Sequence, residues 1–184
     1  MRKFLFCCIL FGMSTGAFAQ EVQLDQYSAD QVTIYSERNR QTSKVYLEKG
    51  KMRSEMDMGP ARVVTIVRLD EKIVYVMLPI QKIFVEKPLV ANDGLLLRLA
   101  DKDTPRELVG SETVKDRTYD KYKMTANGGV FYLWVDKSTQ APVQIVSADN
   151  RTRIENIQIG PQSADLFKPP PDYQKFTGNQ IPPQ

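Results

Sequence analysis

The chain has 184 residues, 25 Lys plus Arg against 22 Asp plus Glu, two cysteines and no histidine. Without an imidazole the Ser-His-Asp and Cys-His mechanisms lose their base, and zinc and copper lose their commonest ligand. Signs alternate closely at Lys49, Lys51, Arg53, Glu55 and Asp57, the pattern of a solvated strand face, which argues against a phosphate-binding stripe for nucleic acid.

The N-terminus reads as an export signal. Arg2 and Lys3 form a positive n-region, Phe4 to Met13 an apolar run, and Ala17-Phe18-Ala19 a cleavage site, which predicts removal of residues 1–19 after Ala19. The run is too short to span a bilayer, and no later segment approaches the roughly 18 apolar residues a membrane helix needs, so the chain is not expected to span a membrane. Cys7 and Cys8 both lie inside the signal, with bulky Phe6 directly before Cys7, and read as signal filler rather than as an acylation site. Removing 19 of the 184 residues leaves a mature chain of 165, without disulfide or thiolate, and with 23 basic against 22 acidic residues once Arg2 and Lys3 are gone. That length suits one domain with one core.

Residues 20–30 are expected to be a lead-in, 31–176 the single domain and 177–184 a polar tail. From Gln31 the chain runs in short apolar or alternating stretches rich in Val, Ile, Tyr, Phe and Thr. Strands are predicted near 31–37, 43–49, 51–58, 61–69, 72–78 and 81–87. Lys49-Gly50 marks a tight hairpin, and Gly59-Pro60, Asp70-Glu71 and Pro79-Ile80 mark further turns. In the third run Met52, Ser54, Met56 and Met58 share one face, and Lys51, Arg53, Glu55 and Asp57 the other. The stretches Ile73 to Leu78 and Ile83 to Val85 are apolar on both faces and therefore need a cover on each side.

That cover is predicted at Asn92 to Lys102, a helix capped by Asn92 or Asp93, with Leu95, Leu96, Leu99 and Ala100 on one face. Strands then resume near 107–114, 118–126, 130–136, 142–148 and 151–159. The fold class is mainly β, about eleven antiparallel strands and one short helix. Leu166, Phe167 and Tyr173 anchor the C-terminal region around Pro169-Pro170-Pro171.

Few residues invite chemistry. Asp101, Asp103 and Glu107 approach a calcium-loop spacing, but Pro105 and Arg106 occupy the stretch where the turn glycine belongs, so no metal is expected. Asn150-Arg151-Thr152 is a formal glycosylation acceptor. No carboxylate sits in an apolar setting that would raise its pKa, and Ser54 has no evident base, so neither catalysis nor a cofactor is expected. The mature chain's methionines are Met52, Met56, Met58, Met77 and Met124, and flexible thioethers suit either an irregular core or a shape-variable ligand. Trp134 alternates out of phase with Leu133 and Val135, which turns it outward with Tyr132 and Asp136.

Several segments together resemble the LolA-like superfamily, in its branch of outer membrane lipoprotein-sorting proteins. They are Lys44-Val45-Tyr46-Leu47-Glu48-Lys49-Gly50-Lys51-Met52-Arg53, Val74-Tyr75-Val76-Met77 and Phe84-Val85-Glu86; then Gly110-Ser111-Glu112, Tyr119-Asp120-Lys121-Tyr122, Leu133-Trp134-Val135-Asp136 with Pro142-Val143, and Ile159-Gly160-Pro161 leading to Leu166 through Tyr173. The resemblance spans nearly the whole mature chain, in turn and strand markers rather than catalytic ones. It implies a periplasmic protein with an unclosed β half-barrel under a helical lid, and a concavity holding a lipid or a lipoprotein acyl chain. Candidate lining residues are then Met52, Met56, Met58, Ile66, Tyr75, Met77, Leu96 and Leu99. LolA itself begins with a longer amphipathic helix than Gln20 to Asp30 allows, and Asp172 stands where the pattern commonly has glycine. The alternative is a periplasmic interaction or sensor module with a filled interior, working through a protein partner at the surface of Tyr132 and Trp134.

Overall fold

The computed structural model describes residues 25–90, 93–100, 104–126 and 128–177, and within the helix it describes the side chains only as far as residue 98. The expected signal, residues 1–19, and all but the first residue of the expected tail lie outside this range. No helix among the described residues is long and apolar enough to cross a membrane.

Local turn chemistry sets the strand boundaries. Lys49 and Gly50 both take positive φ, at 43° and 80°, the arrangement that folds a two-residue hairpin with the right twist. Gly59, at φ 70°, turns the following hairpin, and the two after it end on Lys72 and Lys82, also at positive φ (57° and 50°), which lets four-residue turns close where the sequence offers no glycine. The result is a meander of β1 (Gln26–Ser36), β2 (Asn39–Glu48), β3 (Lys51–Met58), β4 (Ala61–Arg68), β5 (Ile73–Leu78) and β6 (Ile83–Pro88). After α1 (Leu95–Ala100) come β7 (Arg106–Val114), β8 (Arg117–Ala126), β9 (Gly129–Asp136), β10 (Pro142–Val146), β11 (Arg151–Ile159) and the two-residue β12 (Gln174–Lys175).

All twelve strands form one open sheet in the order β12-β6-β5-β4-β3-β2-β1-β11-β10-β9-β8-β7, so the meanders join where β1 pairs with β11. The ends are β12 and β7, and the sheet does not close into a barrel. The expected architecture of an unclosed, mainly β sheet with one short helix is observed, with one more strand than the sequence pattern predicts.

Two boundaries differ from expectation. The segment 20–30 is not a lead-in throughout, because β1 begins at Gln26, with Tyr27 and Ala29 buried. Its inward positions are Tyr27, Ala29 and Thr33, whereas the more apolar Val32 and Ile34 lie on the half-exposed side, so hydrophobicity marks the wrong residues. At the other end Gln174 and Lys175 pair in parallel with Ile83 and Phe84.

The sheet has two apolar faces with different covers. On one, Val45, Leu47, Val67, Val74, Leu133 and Ile145 join Tyr27, Leu96 and Leu97 in one cluster, so α1 covers this face. On the other, Val64, Ile66 and Met77 close over Phe167, with Tyr46, Tyr75, Phe84, Leu166 and Tyr173 at the edge. Thus a second cover, the C-terminal arm of residues 161–177, lies opposite the helix. This corrects the reading of Arg53 and Glu55 as a solvated face. Their side chains are mostly buried, and Arg53 Nη1 donates to the Leu166 carbonyl at 3.1 Å while Arg68 Nη1 donates to that of Phe167 at 3.3 Å.

Gly94 fixes how closely α1 lies on the sheet. Its φ is +69°, and a Cβ there would stand 3.0 Å from Val67 Cγ1. A side chain at this position strains the backbone and pushes α1 off β4. Gly94→Ala is expected to lower stability by about 2 kcal/mol in thermal or denaturant unfolding; a loss below about 0.5 kcal/mol, the size of an ordinary surface change, would show that the helix does not depend on this approach.

Candidate functional site

The face under α1 is built by register. Leu47 pairs with Met52, Met52 with Val67 and Val67 with Val74, giving an apolar row beneath the helix. Leu96 and Leu97 press onto this cluster and are both buried. Leu97 is outside the expected 95, 96, 99, 100 stripe; in a helix of six residues the adjacent pair straddles the contact line. At the start of the helix Lys87 Nζ binds both oxygens of Asp93, at 3.0 and 3.1 Å, and the Val90 N–H donates to Asp93 Oδ2 at 3.0 Å. Asp93 therefore ties the incoming loop to β6 instead of serving as the expected helix cap, and Asn92 lies outside the described residues. Partial burial opposes its charge, but the Val90 N–H and Lys87 outweigh that and hold the carboxyl below its usual range.

Beyond the helix the same face continues as Ser54, Thr65, Val76 and Val85 in one paired row, and then Met56 beside Val63. These residues are half-buried, and Met58 at the end of β3 is 56% exposed. The Gln41 carboxamide donates to the Met56 sulfur and steadies it. An apolar strip thus runs from under α1 to the ends of β3 and β4, covered at one end and accessible at the other. The Tyr27 hydroxyl lies inside the cluster at the covered end. It is fully buried with no hydrogen-bond partner among the described residues, and burial pushes its pKa well above the usual tyrosine value, so it is a neutral donor at any ordinary pH.

The candidate lining residues divide by face. Met52, Met56, Met58 and Leu96 share the helix face; Leu99 lies in α1, but its side chain is outside the described set. Ile66, Tyr75 and Met77 do not line this concavity. Each is one residue out of phase with Val67, Val74 and Val76, and they pack under Phe167 on the opposite face. Because β4 and β5 are apolar on both sides, the sequence offered no contrast by which to assign their faces. Tyr27, Val63 and Val85 share the helix face and carry no sequence signal of it: Tyr27 stands among polar residues, and the valines look like any strand filler.

The outer surface near Trp134 also differs from expectation. Trp134 Nε1 donates to Glu112, and the Lys121 ammonium stands 4.7 Å from the Trp134 ring and 4.8 Å from the Tyr132 ring. Asp136 is not outward but 1% exposed; its Oδ1 accepts from Ser138 Oγ at 2.6 Å and from the N–H groups of Ser138 (2.9 Å) and Thr139 (3.0 Å). Burial opposes the Asp136 charge, yet these donors and Arg117, 3.5 Å from Oδ2, hold its pKa below the usual carboxylate range. A depressed folded-state pKa contributes stability that is complete above the unfolded value near 4 and is lost as pH falls through the folded one. In acid titrations the stability advantage of the native chain over Asp136→Asn is therefore expected to be constant near neutrality and to shrink below about pH 4; an advantage independent of pH would contradict this placement of the charge.

Among the described residues no group of three or more His, Cys, Asp or Glu gathers that could hold a metal. Of the calcium-spaced residues, Glu107 is exposed on β7, and Asp101 and Asp103 lie outside the described range.

No protein-family model matches the chain, and no curated protein matches it. Among solved structures, an uncharacterized conserved protein from Thermus thermophilus is 16% identical and superimposes with a TM-score of 0.61 over 84% of this chain and 91% of that one. A LolA superfamily protein from Nitrosomonas europaea is 11% identical with a TM-score of 0.42, covering 79% and 90%. PNGF-II gives 8% and 0.44 over 78% of this chain and 30% of its own. The Thermus protein shares the fold; the LolA superfamily likeness is weak and concerns the fold alone.

Proposed function

We propose that this protein is an exported, periplasmic carrier or binder of a lipid or a lipoprotein acyl chain, acting by binding rather than by catalysis and serving outer-membrane lipoprotein sorting. The observation that carries the reading is the half-open apolar strip of Met56, Met58, Val63 and Val85 leading from under α1. A methylene chain needs such a surface and little else: each CH₂ removed from water contributes about 0.8 kcal/mol. Methionine adapts to a flexible chain. The export signal and the segments resembling LolA-like proteins agree with this use.

Native mass spectrometry of the mature protein purified gently from an envelope fraction tests it. A stoichiometric lipid or acylated peptide is expected; a bare protein mass that persists after incubation with phospholipid and lipoprotein would overturn the reading in favour of an interaction or sensor module. Tyr27→Phe supplies a further expectation. Loss of a buried, unsatisfied hydroxyl in the core beside the strip should leave the protein as stable or about 1 kcal/mol more stable in thermal unfolding, with lipid retention unchanged; a loss of more than about 1 kcal/mol would show that the hydroxyl is satisfied in the folded chain.

A further inference from the structure

Strand β10 pairs with β11 only at Gln144–Val146 against Arg151–Arg153. Beyond that, among the described residues, Ile154–Ile159 has a strand partner on its β1 side and none on its β10 side. Two features open this interval. Pro142, with no N–H to give, lies at the far end of β10, and Asn156, at φ 53°, makes a bulge that bends β11 where the register with β1 shifts. Asn156 Nδ2 fixes the bulge by donating to Asp30 Oδ2 at 2.7 Å.

The interval is a cleft of about 430 Å³. Val143, Ile154, Ile157 and Ile159 give it aliphatic lining, interrupted by Thr139, Glu155 and Asn156, and Asp136 and Arg117 also line it. Asp136 Oδ1 is fully engaged by the turn, but the buried Oδ2 has no hydrogen-bond partner among the described residues, and Arg117 at 3.5 Å is an ion-pair neighbour whose side chain is largely exposed. An acceptor without a hydrogen-bond partner beside a largely exposed guanidinium offers a ligand one place to donate and one to accept. An amide has both. A small alkyl amine would satisfy Asp136 but meet Arg117 as a like charge, and it would leave the strand edge unpaired.

From the open edge of β11, the mixed aliphatic and polar lining and this acceptor and donor pair, we infer that the β10–β11 cleft is a docking site for an extended peptide, which enters as an added strand beside Ile154–Ile159. In this mode backbone hydrogen bonds supply the affinity, and alternate side chains meet the isoleucine side and the Asp136 side. The site is separate from the helix-face strip, and its success or failure leaves the lipid reading untouched.

The test is amide hydrogen exchange on the full mature chain with an acetylated, amidated pentapeptide alternating valine and lysine. Exchange of the β11 amides that lack a β1 partner should slow about tenfold at saturating peptide. The same peptide N-methylated at its central valine, unable to donate to the edge, should protect about tenfold less. Arg117→Gln, a change at an exposed side chain, and Asp136→Asn should each weaken the peptide several-fold; should Asp136→Asn fail to fold, Arg117→Gln decides alone. Unchanged exchange at Ile154–Ile159, equal protection by the methylated peptide, or displacement of the peptide from these residues by decylamine would overturn the inference.

Discussion

Truncating Phe167 to alanine is expected to lower the unfolding free energy by about 3–5 kcal/mol, more than any other single large-to-small change in the C-terminal arm. Phe167 is 1% exposed and packs on Val64, Ile66 and Met77, so its ring closes the apolar face opposite the helix. Leu166 and Tyr173 add apolar contact only at the edge of this cluster, and the other ties are polar and modest: the Arg53 and Arg68 donations to carbonyls, and the parallel pairing in which the Gln174 N–H donates to Lys82 O at 2.9 Å and the Phe176 N–H to Phe84 O at 2.8 Å. Each such bond contributes about 1 kcal/mol net, so the ring is the arm's largest single tie. Denaturant unfolding, with exchange of the β12 amides, measures the effect; a loss under about 1 kcal/mol would mean the face closes without Phe167.

Placing glutamate at two methionines separates the faces of the sheet. Met77→Glu puts a carboxyl against Phe167 in a site 1% exposed to water, and is expected to cost more than about 4 kcal/mol or to prevent folding, because Val64, Ile66 and Phe167 pack around it and shut out water. Met56→Glu sets the same group on a half-buried position of the helix face, where it can reach water. It should fold with native circular dichroism, lose less than about 1.5 kcal/mol, and fail to retain lipid. If instead Met56→Glu retained lipid at the native level, the strip would not be the binding surface.

The contrast between these methionines shows what the sequence could and could not reveal. Alternation in β3 was legible, since Arg53 and Glu55 interleave with Met52 and Met56, and the hairpin turns were legible because Lys49-Gly50 and Gly59-Pro60 carry their own backbone preferences. Which side of β4 and β5 faces the helix was not legible, because Val64 and Ile66 look as apolar as Val63 and Val67. Face assignment came from register with β3, a long-range fact that no local pattern contains. The C-terminal cover was half legible: Leu166, Phe167 and Tyr173 read as an anchor, yet their partners 80 to 110 residues upstream could not be inferred, and neither could the roles of Arg53 and Arg68 in holding its carbonyls. Of the helix face, the shared side of Met52, Met56 and Met58 was legible from alternation and Leu96 from helical spacing, whereas Tyr27 was hidden by polar neighbours.

The methionine methyls permit the most direct test of the account. Met56 and Met58 lie on the accessible strip, Met52 at its covered end, Met124 deeper in the same cluster and Met77 on the opposite face. A stearate carrying a nitroxide midway along its chain, titrated into methyl-labelled protein, is expected to broaden the Met56 and Met58 resonances first and to spare Met77. Equal broadening of all five, or broadening of Met77 with Met56 unchanged, would contradict an acyl chain held along the helix face.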